Sequence, residues 1–454
     1  MIFVLAVLTI YAAAVEYGLM HTLPPTFWLI PAVLAVLFLA LHVAVRMLAP
    51  YADPVILPCV TLVNGLGVIF LRRLDLGDTD PDKRADLATF SGTSFHQLIW
   101  TFIAVAVAVG VLVAIKDHRA LSRYAYTLGL AGVVLVLIPA VLPRRFSEIN
   151  GAKLWIRIGG FQIQPGEFAK LLLLCFFAYY LVRKREVLSL ASRRFLGIDF
   201  PRGRDLGPVL AIWGMSLLVL IFEKDLGTSL LYFGMFVVTL YIATERVSWL
   251  IIGLVLFFGG AFLAYFLGAE FGGPFANFYE RANIWLDPFA DPNDTGYQLV
   301  QSLLGLGSGG IFGTGPGAGD PNLVPEVYND FIFAGLGEEI GMFGLTALLA
   351  VYLVIVERGL RAAIAVRDSF GKLLAGGLAF TLGLQVFVIV GGVTKLIPLT
   401  GQTTPFLSAG GSSLMANWIL VALLLRVSDA GRRPAAPPPK APEQLAGLAT
   451  EIVR

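Results

Sequence analysis

The sequence predicts an all-α, polytopic membrane protein of about twelve transmembrane helices with one large extracytoplasmic loop. Three observations carry that expectation. The chain is 57% hydrophobic and only 14% charged, where a soluble domain carries about 25% charged residues. Apolar runs of roughly the ~20 residues a helix needs to cross a bilayer recur from one end to the other. The charges gather in short segments between those runs and in one long hydrophilic segment, residues 269–331.

In order, the apolar runs fall near 2–18, 27–48, 54–72, 97–115, 124–142, 167–183, 207–222, 227–243, 247–268, 332–356, 372–394 and 405–426. The first has no basic n-region and reads as a span rather than a signal peptide. Around Glu223–Leu226 a short polar link joins two runs, which makes that boundary the least defined. The division that follows is two N-terminal helices over 1–50, a core over 51–426, and a Pro/Ala-rich tail over 427–454 expected to be disordered and cytoplasmic. No internal repeat is visible, which disfavours a transporter built from two related halves.

Orientation is read from Lys and Arg in the short loops. Segments 116–123, 183–194, 357–368 and 426–433 are basic, and twelve spans put all four on one side, the cytoplasm, with both termini. Basic residues in 71–84 and 143–145 run against this; the first set is balanced by acids. A net charge of +2 gives no footprint for nucleic acid, and none is expected as a partner. Cys59 and Cys175 lie inside apolar runs and read as small hydrophobes. No Cys or His cluster has the spacing of a zinc or iron–sulfur site.

The 269–331 segment holds one basic residue, Arg281, against Glu270, Glu280, Asp287, Asp291, Asp294, Asp320, Glu326 and Asp330. Interleaved Phe, Tyr, Trp and Leu argue for a packed, re-entrant structure rather than a linker. Its stretch "IWLDPFADPNDTGYQ" sets three aspartates within eight residues, two of them followed by proline. Asp-Pro starts helices, because Asp caps free N–H groups and Pro fits the first turn. One reading is therefore two caps or turns. The other is a carboxylate aimed into a cleft, to take a proton from a hydroxyl or to bind a divalent cation.

Other segments carry paired readings too. Trp155 and Arg157 anchor an amphipathic loop at the interface or touch substrate. Glu167 and Lys170, three apart on one helical face, form a structural ion pair or bind a polar or anionic substrate. Asp225 reads as a helix cap, with Lys224 facing an anionic head group. Glu338 and Glu339 sit a turn or two inside a span, where at least one needs a partner or a wet cleft. The Gly/Pro/Thr-rich segment 394–413 reads as a cavity wall, since irregular backbone at membrane depth must be buried or line a cavity, with a tight outer hairpin as the alternative.

Five blocks, "GAKLWIRIGGFQIQPGEFAK", "DLGTSL", "DPFADPNDTGYQLVQSLLGLGSGGIFGTG", "VPEVYNDFIFAGLGEEIGMFG" and "IPLTGQTTPFLSAGGSS", together resemble the SEDS family (shape, elongation, division and sporulation), which includes RodA, FtsW and SpoVE. The resemblance covers about residues 54–426, in the family's order and spacing, and leaves the two N-terminal spans as additions to its ten helices. "EKDLG" and "TTPFLS" are most similar to actinobacterial RodA-type members. The resemblance implies a peptidoglycan glycosyltransferase that polymerises lipid II at the outer face of the cytoplasmic membrane, for cell shape or division, beside a class B penicillin-binding protein. Its essential acid falls at Asp291, in "ADPNDTGYQ", while Asp287 belongs to a more variable first "DP". Departures from the family's wording are Gly166, Lys224, Tyr328, Asn329 and Ala409; none removes Asp291, Glu167, Lys170, Glu338 or Glu339.

On this reading Asp291 is the catalytic base and the metal candidate. Substrate-binding candidates are Trp155, Arg157, Glu167, Lys170, Arg281, Gln298, Glu326, Asp330, Glu338, Glu339 and Lys395, with Arg157, Lys170, Arg281 and Lys395 as cations for a pyrophosphate. A Mg²⁺ or Mn²⁺ ion suits such phosphate chemistry, and no organic cofactor is expected. A lipid II flippase and a non-catalytic scaffold for the penicillin-binding protein are the alternatives.

Overall fold

The computed structural model describes residues 1–77, 92–149, 152–158, 161–189, 191–195, 198–201, 206–223 and 225–434. Lys224, residues 78–84 of the 71–84 segment and the tail from 435 onward lie outside the described residues.

Each of the twelve expected spans meets a helix: α1 (Ile2–Met20), α2 (Leu29–Leu48), α3 (Ile56–Leu76), α4 (Thr93–Ala114), α5 (Ala125–Val141), α6 (Pro165–Ser189), α7 (Gly207–Phe222), α8 (Leu226–Thr244), α9 (Val247–Phe271), α12 (Ile332–Ala365), α13 (Ser369–Val393) and α14 (Gly411–Arg432). Among the described residues ten helices are long and apolar enough to cross a membrane, and α5 and α7 are the two shorter apolar ones. Two further helices, α10 (Ala276–Leu286) and α11 (Tyr297–Gly309), fold within the long hydrophilic segment, as its interleaved aromatics required. The chain is thus an all-α bundle. Its few strands are short antiparallel hairpins, Glu148–Ile149 with Ala152–Lys153, Ile156–Ile158 with Phe161–Ile163, and Ala191–Phe195 with Ile198–Pro201.

Burial separates the helices. α3, α13 and α14 are buried on nearly every face, whereas α1 buries a single stripe, Val4, Leu8, Ala12 and Val15, at helical spacing against α3. Exposed Leu254, Phe258, Phe262 and Phe266 make α9 apolar outward as well as inward, the pattern of a helix facing lipid. Three of the four basic segments, 116–123, 357–368 and 426–433, meet at one end of the bundle. There His118 Nε2 lies 2.8 Å from Asp368, Arg432 lies 3.1 Å from Asp53, and Arg426 donates to the carbonyls of Leu48 (2.8 Å) and Leu112 (2.5 Å).

Two expected boundaries move. The last span begins at Gly411 rather than 405, because Thr400 to Gly410 is irregular chain held by side chains: Thr404 N–H donates to Ser408 Oγ, and Gln97 Nε2 to the Ser408 carbonyl. The same helix continues to Arg432, so residues 427–432 of the expected tail are helical, with Val427, Ser428 and Asp429 buried.

A break in α12 was not expected. Gly341 there has φ 64 and ψ −176, outside helical geometry. The backbone groups this frees are taken up by the preceding loop. Met342 N–H donates to the Gly310 carbonyl and Phe343 N–H to that of Ile311, while Thr314 and Gly315 N–H donate to the carbonyls of Glu338 and Glu339. A Cβ on Gly341 would fall 2.2 Å from Gly313 N, so only glycine lets the two backbones run this close.

Candidate active site

The acidic stretch folds as a tight turn between α10 and α11. Asp287 does the local work of a turn residue: its Oδ1 accepts from Phe289 N–H at 3.2 Å and its carbonyl from Ala290 N–H. Asp291 closes the second half. Its carbonyl accepts from Gly296 N–H at 3.0 Å, and its Oδ2 accepts weakly from Thr295 N–H and Oγ1 at 3.4 and 3.3 Å. Gly296 is required by crowding, since a Cβ there would lie 2.2 Å from the Pro288 carbonyl oxygen. Asp291 is exposed, and among the described residues its Oδ1 has no hydrogen-bond donor.

Asp291 lines a cavity of about 550 Å³ with Tyr279, Glu280, Asn283, Asp287 and Thr295. A second cavity, about 260 Å³, shares Glu280, Ile284 and Thr295 with the first and adds Arg281, Gln298, Asp330 and Gly401. Arg281 is the one cation lining either cavity among the described residues. Its Nη1 donates to the Leu399 carbonyl at 3.1 Å, which ties α10 to the 394–410 segment. Trp285 makes a second tie, Nε1 to the Lys395 carbonyl at 3.1 Å. The 394–413 segment therefore does wall a cavity, through Leu399 and Gly401.

Asp330 is half-buried at the foot of this second cavity, just before α12. Burial pushes its carboxyl up to about 7; the Glu326 carboxylate adds to the rise and the Arg281 guanidinium opposes it.

Beneath the cavities the bundle holds a buried polar layer. Lys170 Nζ donates to Glu167 Oε2 at 2.7 Å and to Gln385 Oε1 at 3.0 Å. Asp225 caps α8, accepting from Thr228 N–H at 2.9 Å and Oγ1 at 2.5 Å, and Gln402 Nε2 donates to Thr228 Oγ1 at 2.8 Å. The cap reading of Asp225 and the ion-pair reading of Glu167–Lys170 describe this geometry. Lys170 is 1% exposed, so its ammonium is committed to these partners and away from the cavity surface.

The structure sorts the remaining candidates. Arg281, Gln298 and Asp330 come together with the Asp291 turn. Glu338 and Glu339 do not: they are buried pins of the loop that precedes α12. Glu338 Oε1 accepts from Asp320 N–H at 2.8 Å, and Glu339 pairs with Arg73, whose guanidinium also donates to the Gly319 carbonyl. Glu326 is exposed and accepts from Asn329 Nδ2 at 2.6 Å, outside both cavities. Lys395, Trp155 and Arg157 line neither cavity. Trp155 and Arg157 lie on the hairpin stretch between α5 and α6, where Trp155 N–H donates to the Ser147 carbonyl.

Sequence reasoning missed Arg73 as the partner of Glu339, Gln385 as that of Lys170 and Gln402 as that of Thr228. For Gln385 the available signal was a polar residue inside the apolar run 372–394. No three His, Cys, Asp or Glu side chains gather into a metal-holding group among the described residues. A divalent cation at the Asp291 cavity would rest on one or two of its carboxylates, with its other ligands from substrate phosphate and water.

Comparison with known proteins converges on one family. Residues 54–433 match the FtsW/RodA/SpoVE model of cell cycle proteins. The chain is 51% identical over 417 residues to the peptidoglycan glycosyltransferase RodA of Mycobacterium tuberculosis, covering 92% of this chain and 86% of the relative. It is 36% identical to a probable peptidoglycan glycosyltransferase FtsW of a Geobacter species, over 74% of this chain and 85% of the relative. Among solved structures, a chain of a peptidoglycan synthase complex that coordinates polymerization and crosslinking matches with a TM-score of 0.63 and 26% identity, covering 84% of this chain and 99% of that one. Thermus thermophilus RodA has the same fold, with a TM-score of 0.54 at 24% identity over 83% of this chain and 96% of that one. The chain belongs to the FtsW/RodA/SpoVE family.

Proposed function

We infer that this chain is a peptidoglycan glycosyltransferase of the RodA-like branch, polymerising lipid II into glycan strands at the outer face of the cytoplasmic membrane. The observation that carries the reading is Asp291: a carboxylate with one oxygen free of donors among the described residues, held on a glycine-tight turn over a cavity of about 550 Å³, in a chain 51% identical to RodA.

The reaction joins an acceptor sugar hydroxyl to the anomeric carbon of a donor sugar and expels a lipid pyrophosphate. Asp291 Oδ1 takes the proton of the acceptor 4-hydroxyl. The oxygen attacks the donor anomeric carbon, the bond to the pyrophosphate oxygen breaks, and the configuration inverts. General-base assistance contributes about 10²–10⁴-fold. The leaving group departs with negative charge. Arg281, the one cation lining either cavity among the described residues, supplies favourable potential on that side. A Mg²⁺ or Mn²⁺ ion acting here would draw most of its ligands from substrate phosphate and water.

The basic end of the bundle, opposite the Asp291 loop, supports a cytoplasmic placement for both termini. A class B penicillin-binding protein is the proposed partner; the likeness to a chain from a synthase complex that couples polymerization to crosslinking supports it.

The test is polymerisation of lipid II by the purified protein, with a class B penicillin-binding protein and Mg²⁺ or Mn²⁺, read as glycan ladders on a gel. Ladders from wild type and none from Asp291→Asn support the enzyme and its base. Ladders from both sink Asp291 as the base. No ladder from a folded wild-type complex overturns the enzyme in favour of a flippase or scaffold.

A further inference from the structure

The family model begins at residue 54, so α1 lies outside the matched core. Yet α1 touches the segment that leads into the candidate site. A Cβ on Gly18 would fall 2.2 Å from the Pro316 carbonyl oxygen. A Cβ on Gly317, whose φ is +79, would fall 2.8 Å from the Val15 carbonyl oxygen and 3.1 Å from Leu19 N. Two backbones meet here with no side chain between them, so any added atom must push them apart.

Deeper along α1, Glu16 lies 3.9 Å from Arg72, and Tyr11 brings a buried hydroxyl toward Glu339 and Arg73. Among the described residues the Tyr11 hydroxyl has no hydrogen-bond partner, so it is a buried polar group facing the Glu339–Arg73 pair. The α1 surface therefore carries a polar contact as well as an apolar stripe.

The segment braced in this way is continuous with the second cavity. After the Pro316–Gly317 turn, Arg73 holds the Gly319 carbonyl, Glu338 holds Asp320 N–H, and Asn322 Nδ2 donates to the Leu74 carbonyl at 3.1 Å. The far end is tied to the 394–410 wall: Ala409 N–H donates to the Tyr328 carbonyl at 2.8 Å and Ser408 Oγ to that of Asn329. Asp330 follows directly and lines the second cavity.

We propose that α1 is a strut: through the Gly18–Gly317 contact it fixes the 313–331 segment against α3 and α12, and so positions Asp330 and the cavity wall for glycosyl transfer. Gly18 and Gly317 are positioning residues, not catalytic ones. The proposal rests on the reading of the two cavities as the glycosyl-transfer site.

The experiment compares wild type, Gly18→Ala, Gly18→Leu, the outward-facing control Ile10→Phe, and Asp291→Asn. Each is purified as the full chain with its penicillin-binding protein and assayed for lipid II polymerisation, thermal unfolding, and hydrogen exchange of the 313–331 segment. Misplacement of about 1 Å at a site can cost about 100-fold. The expected result is a graded loss of turnover, about tenfold or more for Gly18→Leu and less for Gly18→Ala, with KM for lipid II within about twofold of wild type. Exchange rises in 313–331 while α6 and α13 stay protected, and Ile10→Phe behaves as wild type. Wild-type turnover in Gly18→Leu overturns the proposal, as does a turnover loss without faster exchange in 313–331. If Gly18→Leu unfolds globally, Gly18→Ala decides by the same two readouts. Failure of the site reading is distinguishable: Asp291→Asn then polymerises like wild type, whatever the Gly18 variants do.

Discussion

Two acidic regions of this chain look alike in sequence and differ in what surrounds them. One is the Asp287–Asp294 turn; the other is the Glu338–Glu339 pair at the start of α12. Asp291 is exposed, holds two weak contacts and, among the described residues, keeps an oxygen free. Glu339 is 1% exposed and paired with Arg73, and Glu338 is tied to Asp320 N–H. A carboxylate that must accept a substrate proton needs a reachable oxygen, whereas one inside a bundle needs a cation or donor to offset its burial. The first region is built for chemistry and the second for position.

The largest test of that contrast is Asp291→Asn. Turnover should fall by about 10²–10⁴-fold with the thermal midpoint unchanged, because the side chain is exposed and its contacts are weak. A midpoint several degrees lower would place Asp291 with the structural acids and break the comparison.

Arg73→Ala should show the opposite signature. It leaves Glu339 buried without its cation, a change that costs about 3–5 kcal/mol where a buried pair is broken on one side. Thermal unfolding in detergent should register it, and Glu339→Gln should recover part of the loss when combined with Arg73→Ala. Equal stability of Arg73→Ala and wild type would mean that the pair carries no load.

Much of this was legible in the sequence, for a physical reason. Span positions follow from hydropathy, a local quantity, and each expected run meets a helix, including the two separated by the polar Glu223–Asp225 link. The Asp291 turn was legible because Asp-Pro and Gly constrain backbone locally. What could not be read was pairing across the chain. Arg73 and Glu339 are 266 residues apart, and nothing near either names the other. That is why Glu338 and Glu339 were grouped with the substrate-binding candidates. The break at Gly341 escaped for the same reason, since the backbone that satisfies it comes from 310–315. Lys170 stayed open between an ion pair and a pyrophosphate cation because its second partner, Gln385, sits on another helix.

Between the two extremes lies Arg281, exposed to a cavity yet tied to the Leu399 carbonyl. Arg281→Ala should lower turnover by about 10- to 100-fold, the scale of a hydrogen bond to a charged group at about 1.5–3 kcal/mol. Lys395→Met, whose residue lines neither cavity, is the comparison and should keep near-wild-type turnover. Equal effects of the two would remove the distinction between cavity-lining and peripheral cations.

The smallest expected effect falls on Asp330, which shares features of both regions: it lines a cavity, but burial raises its carboxyl to about 7. In the unfolded chain the same group titrates near 4. Between those values the folded protein holds a proton that the unfolded chain has released. Stability attached to this group is therefore fully present below about pH 4 and declines as the pH climbs toward 7. Asp330→Asn cannot ionise and escapes that decline. The thermal midpoint of Asp330→Asn should thus gain on wild type as the pH is raised from 4 to 7 and level off above it. Arg281→Ala should steepen the wild-type decline, because the guanidinium opposes the rise. A midpoint difference that stays flat with pH would mean that Asp330 is solvated like Asp291, and would move it to the exposed, chemical side of the comparison.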